Sequence, residues 1–528
     1  METHEVFNQS PDFADINFYS TDRALQSAII ANDGNADGLE AFGALAGRAD
    51  TLELGRLANE FVPQLKLFDS KGNRLDRVDF HPSYHQIMAI STGHNLHNGS
   101  HTGVGNVNRA AIHYLATQME ASHCCPTTMT NAAIPVIKQS AEISDKWLEK
   151  LSNKKYDSGF CPIEQKTAAT IGMGMTEKQG GTDVRANTTR AEPVGGDEFV
   201  LTGHKWFMSA PMSDAFLVLA QAPGGLTCFF LPRFLPDGQR NRIFIQQLKD
   251  KMGNRANASC EVEFEKAHAW LIGEQGRGVA TIIEMVTYTR LDCAVASAGL
   301  MRSAIAQAIF HTRHRTVFQK KLIDQPLMQT VLGDMALDLE AGVALGFRLA
   351  RSFDLQDHDE TEALFARFMT PVIKYLVCKS LPKIANEAME CLGGNGYVEE
   401  SPMARLYREA PLNAIWEGSG NVMCLDFLRA VAKDRDGFFS LLDSLQLDNA
   451  STSAITDMLG QQKDLEAGSR SIVELLGHAT AARLLQQTAP GFIGDAYTES
   501  RLNGRFANTY GHINHSHASK LIERTLPG

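Results

Sequence analysis

The chain has 528 residues, too many for one ordinary core, and its length points to three or four domains. Its 44% hydrophobic and 21% charged residues are the composition of a globular protein, and 50 Lys+Arg against 61 Asp+Glu leave a net charge of −11. That balance disfavours whole-surface binding to nucleic acid or to an anionic membrane, although a local basic patch stays open.

Residues 1–55 read as a polar, irregular N-terminal extension. Met1-Glu-Thr-His-Glu5 leads into no apolar core and is acidic, so neither a signal peptide nor a transit peptide is expected. The stretch 56–170 reads as a helical domain, with helical spacing from about Thr51 to Asn153, as in Arg109-Ala-Ala-Ile-His-Tyr-Leu-Ala-Thr-Gln-Met119. The period then changes. Phe199–Met208, Ala215–Ala220, Leu226–Leu231 and Cys260–Phe264 are short, aromatic and aliphatic, and separated by turn residues, so 171–278 reads as an inserted β domain. Helical pattern returns over 279–436. Pro326 and Pro402 fall at first-turn positions, Ser401 at a cap, and Gly393-Gly394 at a helix end. Residues 437–528 read as a separate, more polar helical extension. The fold class is therefore α+β, mainly α, without the alternating units of a dinucleotide-binding fold. No apolar run approaches the roughly 18–20 residues of a membrane span. Nine scattered cysteines without a CxxC pair suit reduced thiols, and with the absent leader they point to the cytoplasm.

Five motifs stand out, each with two readings. Met173-Gly-Met-Thr-Glu-Lys-Gln-Gly-Gly-Thr-Asp183 is either a loop letting a ligand approach the backbone or a glycine-rich turn. Gly393-Gly-Asn-Gly396 follows a helix rather than a strand, so it reads as a helix stop. In Ile415-Trp-Glu-Gly-Ser-Gly-Asn421, Glu417 has apolar neighbours that would raise its pKa towards that of a general base. Gly418 and Gly420 would admit a flat substrate, and Ser419 or Asn421 would cap the next helix; otherwise Glu417 belongs to a capping box. Arg315, after His311, Arg313 and His314, either holds a pyrophosphate or offsets a helix dipole. His512, His515 and His517 lack a convincing partner for zinc and read as a solvated loop, so no metal is expected.

Taken in order, these segments resemble the acyl-CoA dehydrogenase family over about residues 60–433. The resemblance rests on Met175-Thr-Glu with Gly180-Gly-Thr-Asp183, Gly203-His-Lys-Trp-Phe-Met-Ser209, Lys251-Met-Gly-Asn-Arg255 with Glu261-Val-Glu-Phe264, Thr289-Arg290, Arg315 with Phe318, Leu392-Gly-Gly-Asn-Gly396 and Ile415-Trp-Glu-Gly418. The terminal extensions, Leu52–Asn59 and Trp416–Asn421 are similar to the AidB-type subfamily, which is associated with the bacterial response to DNA alkylation. The resemblance implies a helical domain, a small β-barrel or sandwich, a four-helix bundle, bound FAD and α,β-dehydrogenation of an acyl-CoA. It implies Glu417 as the base, since Thr289 stands where some relatives place theirs. It implies flavin contacts at Met173, Met175, Thr176, Thr182, Phe207, Met208 and Ser209. Ile415, Trp416, Gly418, Ser419, Gly420 and Asn421 would close the cofactor pocket, and Thr182, Arg290 and Asn421 would meet substrate. Arg315, Phe318 and Gly394 would reach a neighbouring subunit's FAD, implying a homotetramer, and an electron acceptor is required. Gln319 and Glu390 depart from the family's usual Gly and Gln, and Phe207 takes the place of its flavin-flanking Trp. The competing reading is a DNA-associated flavoprotein. The cations of the extension, Arg501 and Arg505 among them, are outnumbered there by carboxylates.

Overall fold

Alternation of apolar and polar residues builds the sheet of the protein. In the computed structural model, which describes residues 3–460, 465–504 and 508–528, the chain forms two units: Asp50–Gly105 with Glu120–Thr289, and Met1–Ala49 with Asn106–Met119 and Arg290–Gly528.

The first unit begins with a hairpin of β1 (Gln64–Phe68) and β2 (Arg74–Asp79), where a helix was expected. Period-two spacing of Leu65 and Leu67 wins here. The Asp69 carboxylate accepts the amides of Lys71 and Asn73, and Gly72 supplies a φ of 84°. The main sheet comprises β3 (Ile171–Gly174), β4 (Arg190–Gly195), β5 (Glu198–Ser209), β6 (Ala215–Ala222), β7 (Gly225–Pro232), β8 (Ile243–Leu248) and β9 (Ser259–Ile272). Its order is β3-β6-β4-β5-β9-β7, with β8 on β9. Because β6 also pairs with β7, five strands close into a small barrel. Phe199, Leu201, Phe216, Val218, Phe229, Val262 and Phe264 fill it. Each such side chain contributes about 1.5–3 kcal/mol on burial.

In the second unit, the supposedly irregular N-terminal stretch contains helices Arg23–Ala31 and Leu39–Ala46. Asp22 caps the first through the Leu25 amide, and its buried carboxylate accepts the Tyr114 hydroxyl at 2.7 Å. Pro326 opens helix Pro326–Leu355, and Asp359 caps helix Glu360–Cys391. Ser401 caps the helix whose first residue is Pro402. Leu392 and Gly393, the latter at φ 61°, end the long helix as the glycine pair predicts. The C-terminal extension is not a separate appendix. Helix Leu465–Thr488 buries Ile472, Val473, Leu476 and Leu485, and Gly477 brings it against Leu376 of helix Glu360–Cys391. Its apolar stripe, set between polar turns, is covered by segments about a hundred residues away in sequence.

Helix Gly278–His314 does have the length and hydropathy of a membrane span, contrary to the expectation, but 89% of its apolar window is buried. All nine cysteines are free thiols and eight are buried.

Candidate active site

Glu417 lies between a 3-10 turn, Leu412–Ala414, and helix Gly420–Lys433. The amides of Ile415 and Trp416 both return to the Leu412 carbonyl, which ends the turn. Glu417 then takes φ 57° and Gly418 φ 102°, so two left-handed residues in succession turn the chain. A Cβ at Gly418 would come within 2.6 Å of Met423 Cε. The carboxylate is half-buried and precedes the helix, which removes the capping-box reading. Ser419 occupies the N-cap without a side-chain cap bond, and Asn421 does not cap either: its Oδ1 accepts Arg470 Nε and Nη2 at 2.9 and 2.7 Å. Ile415 is 63% exposed and does not shelter the carboxylate in this chain.

Main-chain oxygens fix this loop. Lys374, 1% exposed on helix Glu360–Cys391, donates Nζ to the Trp416 carbonyl at 2.7 Å and to that of Gly418. Arg290 Nε donates to the Glu417 carbonyl at 3.0 Å, and its Nη2 pairs with Asp426 at 2.7 Å. The Trp416 indole donates to Asn413 Oδ1, and Asn413 donates to Ser297 Oγ. Arg290 therefore spends two nitrogens on structure. Thr289 donates its hydroxyl to the Val286 carbonyl at 2.9 Å.

Arg315, Phe318 and Gly394 belong to the same unit. Arg315 Nη1 donates to the Asn8 carbonyl at 2.6 Å, and the Asn8 side chain makes two bonds to the Thr316 backbone. Asn395 donates to Gln9, so the N-terminal segment straps both motifs. The strand pair Thr316–Val317 and Lys320–Lys321 is joined by Phe318 and Gln319 at φ 51° and 65°. A two-residue turn of this kind favours glycine, which is what the departure at Gln319 gives up. Phe318 is 91% exposed.

In the barrel unit, Met173, Met175 and Thr176 are half-buried, and Thr182 is exposed. Glu177, within the glycine-rich motif, proves to be a buried anchor. It accepts Lys205 Nζ at 2.8 Å, the Thr188 amide and hydroxyl, and the Thr189 amide. Burial alone would raise its carboxyl, but Lys205 and these donors hold it down at about 2. Burial pulls the Lys205 ammonium down to about 8 against the pull of Glu177. A register shift between Lys205 and Met208 frees Trp206 and Phe207 from regular pairing with β9. Phe207 stays 47% exposed, and Lys249 Nζ lies 3.2 Å from the Trp206 ring centre. The Met208 side chain points into the barrel core instead, and Ser209 Oγ meets Ser259 Oγ at 2.9 Å. An uncovered aromatic ring on a bulge, next to Trp206, whose amide donates to the Thr176 carbonyl at 2.8 Å, fits a flat, aromatic cofactor.

Sequence reasoning missed Lys374 and Lys205, whose acceptors are distant in the chain. It also missed Ser91, His123 and Glu120, all fully buried. Ser91 Oγ lies 2.8 Å from His123 Nε2, and His123 Nδ1 lies 3.1 Å from Glu120. Burial would lower His123, but Cys124 and Glu120 raise it to about 10. The histidines near the C-terminus are dispersed. The His512 amide donates to Asp334, His515 meets Gln329, and His517 stacks on Phe492. Of the basic patch, Arg505 lies outside the described residues, and Arg501 is buried against Asp334 and Asp338 at 2.7 and 2.8 Å.

Comparison with known proteins agrees with these features. Residues 8–158 match the adaptive response protein AidB N-terminal domain, 172–267 the acyl-CoA dehydrogenase middle domain, and 276–432 the acyl-CoA dehydrogenase C-terminal domain. The chain is 48% identical to AidB of Escherichia coli (strain K12) over 484 residues, 90% of this chain and 87% of that protein. It is 30% identical to acyl-CoA dehydrogenase family member 11 of Caenorhabditis elegans, over 82% of this chain and 73% of that one. The crystal structure of Caenorhabditis elegans ACDH-11 in complex with C11-CoA superposes with a TM-score of 0.83 at 26% identity, covering 99% of this chain and 93% of that one. The chain therefore belongs to the acyl-CoA dehydrogenase family, in its AidB branch, and is an FAD-dependent acyl-CoA dehydrogenase-like oxidoreductase.

Proposed function

We propose that the protein removes the α-proton of an acyl-CoA thioester with the Glu417 carboxylate, in an α,β-dehydrogenation. The α C–H bond breaks, its proton passes to a Glu417 oxygen, and the electron pair left behind forms the Cα=Cβ bond as the β-hydrogen departs with its own pair. When bound, FAD is the oxidant that takes up that hydride. Met173, Met175, Thr176, Thr182, Phe207 and Ser209 hold the flavin from the barrel unit; Met208 contributes through its main chain. The Glu417 amide, fixed by the left-handed turn, donates to the thioester oxygen as negative charge builds there. Arg315, Phe318 and Gly394 would serve a neighbouring copy in a homotetramer, and turnover would need a separate electron acceptor. The observation that carries this reading is the half-buried Glu417 held outside any helix by Arg290 on its own carbonyl and Lys374 on the two flanking ones. The C11-CoA held by the Caenorhabditis elegans relative supports an eleven-carbon acyl probe.

Glu417→Gln tests the proposal. The variant should retain FAD and lose anaerobic bleaching by undecanoyl-CoA; bleaching at the wild-type rate would move the base elsewhere.

The AidB branch supplies the second reading, a flavoprotein bound to DNA. Its phosphate contacts would have to come from cations other than Arg501 and Arg524, since the latter pairs with Glu340 at 2.6 Å.

A further inference from the structure

Three successive carbonyls, those of Trp416, Glu417 and Gly418, accept hydrogen bonds from buried cations, and Lys374 takes the outer two. An ammonium carried to 1% exposure must have its donors satisfied, and here they are spent on main-chain oxygens on either side of one residue. Two carbonyls flanking a residue converge on one nitrogen only if the chain turns between them. The left-handed φ of 57° at Glu417 is that turn. For a residue with a Cβ this conformation is strained, so it persists where something outside the loop holds it. Lys374 stands 42 residues before Trp416 in sequence, on a helix with a fully packed core face, and so brings a rigid reference to the loop.

We infer that Lys374 is a positioning residue for the base: by drawing the 416 and 418 carbonyls to one point it sets the direction of the Glu417 side chain. The inference rests on the reading of Glu417 as the base. Lys374 touches neither substrate nor flavin in this role. Its loss should change the proton-transfer step and leave binding alone, since displacement of a catalytic group by about 1 Å costs on the order of 100-fold.

The test uses the FAD-loaded protein and two variants, Lys374→Met, which keeps the bulk of the stem, and Lys374→Gln, which retains a donor. Undecanoyl-CoA is the substrate probe, and a 3-thia analogue, which can lose an α-proton but cannot deliver a β-hydride, isolates the base. In Lys374→Met, the bleaching rate constant and the α-proton exchange of the analogue in D2O should both fall about 100-fold, with analogue affinity and FAD content unchanged. Lys374→Gln should recover part of the loss. Amide hydrogen exchange of residues 415–419 in the cofactor-free protein should quicken in Lys374→Met relative to wild type. Exchange and bleaching within threefold of wild type in Lys374→Met overturn the inference. So does a loss confined to FAD or analogue affinity, and so does failure of both variants to fold, which would make the lysine a support of the fold. Wild-type bleaching by Glu417→Gln would instead sink the assignment of the base, whatever Lys374 does.

Discussion

Glu417 stands out in the sequence as a candidate, because an acid between Ile-Trp and Gly-Ser-Gly is unusual, but the bonds that fix its loop do not. Arg290 lies 127 residues upstream of the carbonyl it binds, and no local pattern announces such a bond. The same holds for Glu177, whose partner Lys205 lies across two strands. The buried His123–Glu120 pair makes a prediction at this scale. His123 is raised in the folded chain from 6.5 to about 10, so its contribution to stability is complete below about pH 6.5 and is lost as pH rises towards 10. Glu120 is depressed from 4.5 to about 2, because donors led by His123 outweigh its burial, so its contribution is lost as pH falls through that interval. Urea midpoints of the wild type should therefore decline from pH 6.5 to 9 more steeply than those of His123→Gln. Equal slopes would show that the imidazole is neutral in the folded protein.

Among elements, the strands of the barrel were readable wherever aromatic and β-branched residues crowd between turns, as in Phe199–Met208 and Leu226–Leu231. The β1–β2 hairpin carried the same alternation, with Asp69 and Gly72 at its turn, but its charged outer positions resemble a helix surface. The helices of the C-terminal extension were visible by period, whereas their place against helices Pro326–Leu355 and Glu360–Cys391 depends on non-local packing. Arg501 shows how firmly that extension is joined. It bonds Asp334, which is fully buried, and Asp338, and Asp334 also accepts the Gly511 and His512 amides. Arg501→Ala would leave two carboxylates without their cation. A loss of about 3–5 kcal/mol is expected, read as a lower denaturant midpoint; a change below 1 kcal/mol would mean that the extension is only loosely attached.

For the whole molecule, charge is the deciding quantity. At −11, with Arg501 and Arg524 committed to buried carboxylates, the described surface of the extension offers few free cations for phosphate contacts. Duplex DNA at about 50 mM salt should bind weakly and without length dependence. Tight binding with a steep salt slope would point to a basic surface made only in the assembled oligomer. Segments near both termini, meanwhile, meet at one place: Arg313 donates to the carbonyls of Leu526 and Pro527, and just beyond it Arg315 and Thr316 bond Asn8. The end of helix Gly278–His314 and the two residues that follow it thus act as a clasp on segments from the start and the finish of the sequence alike.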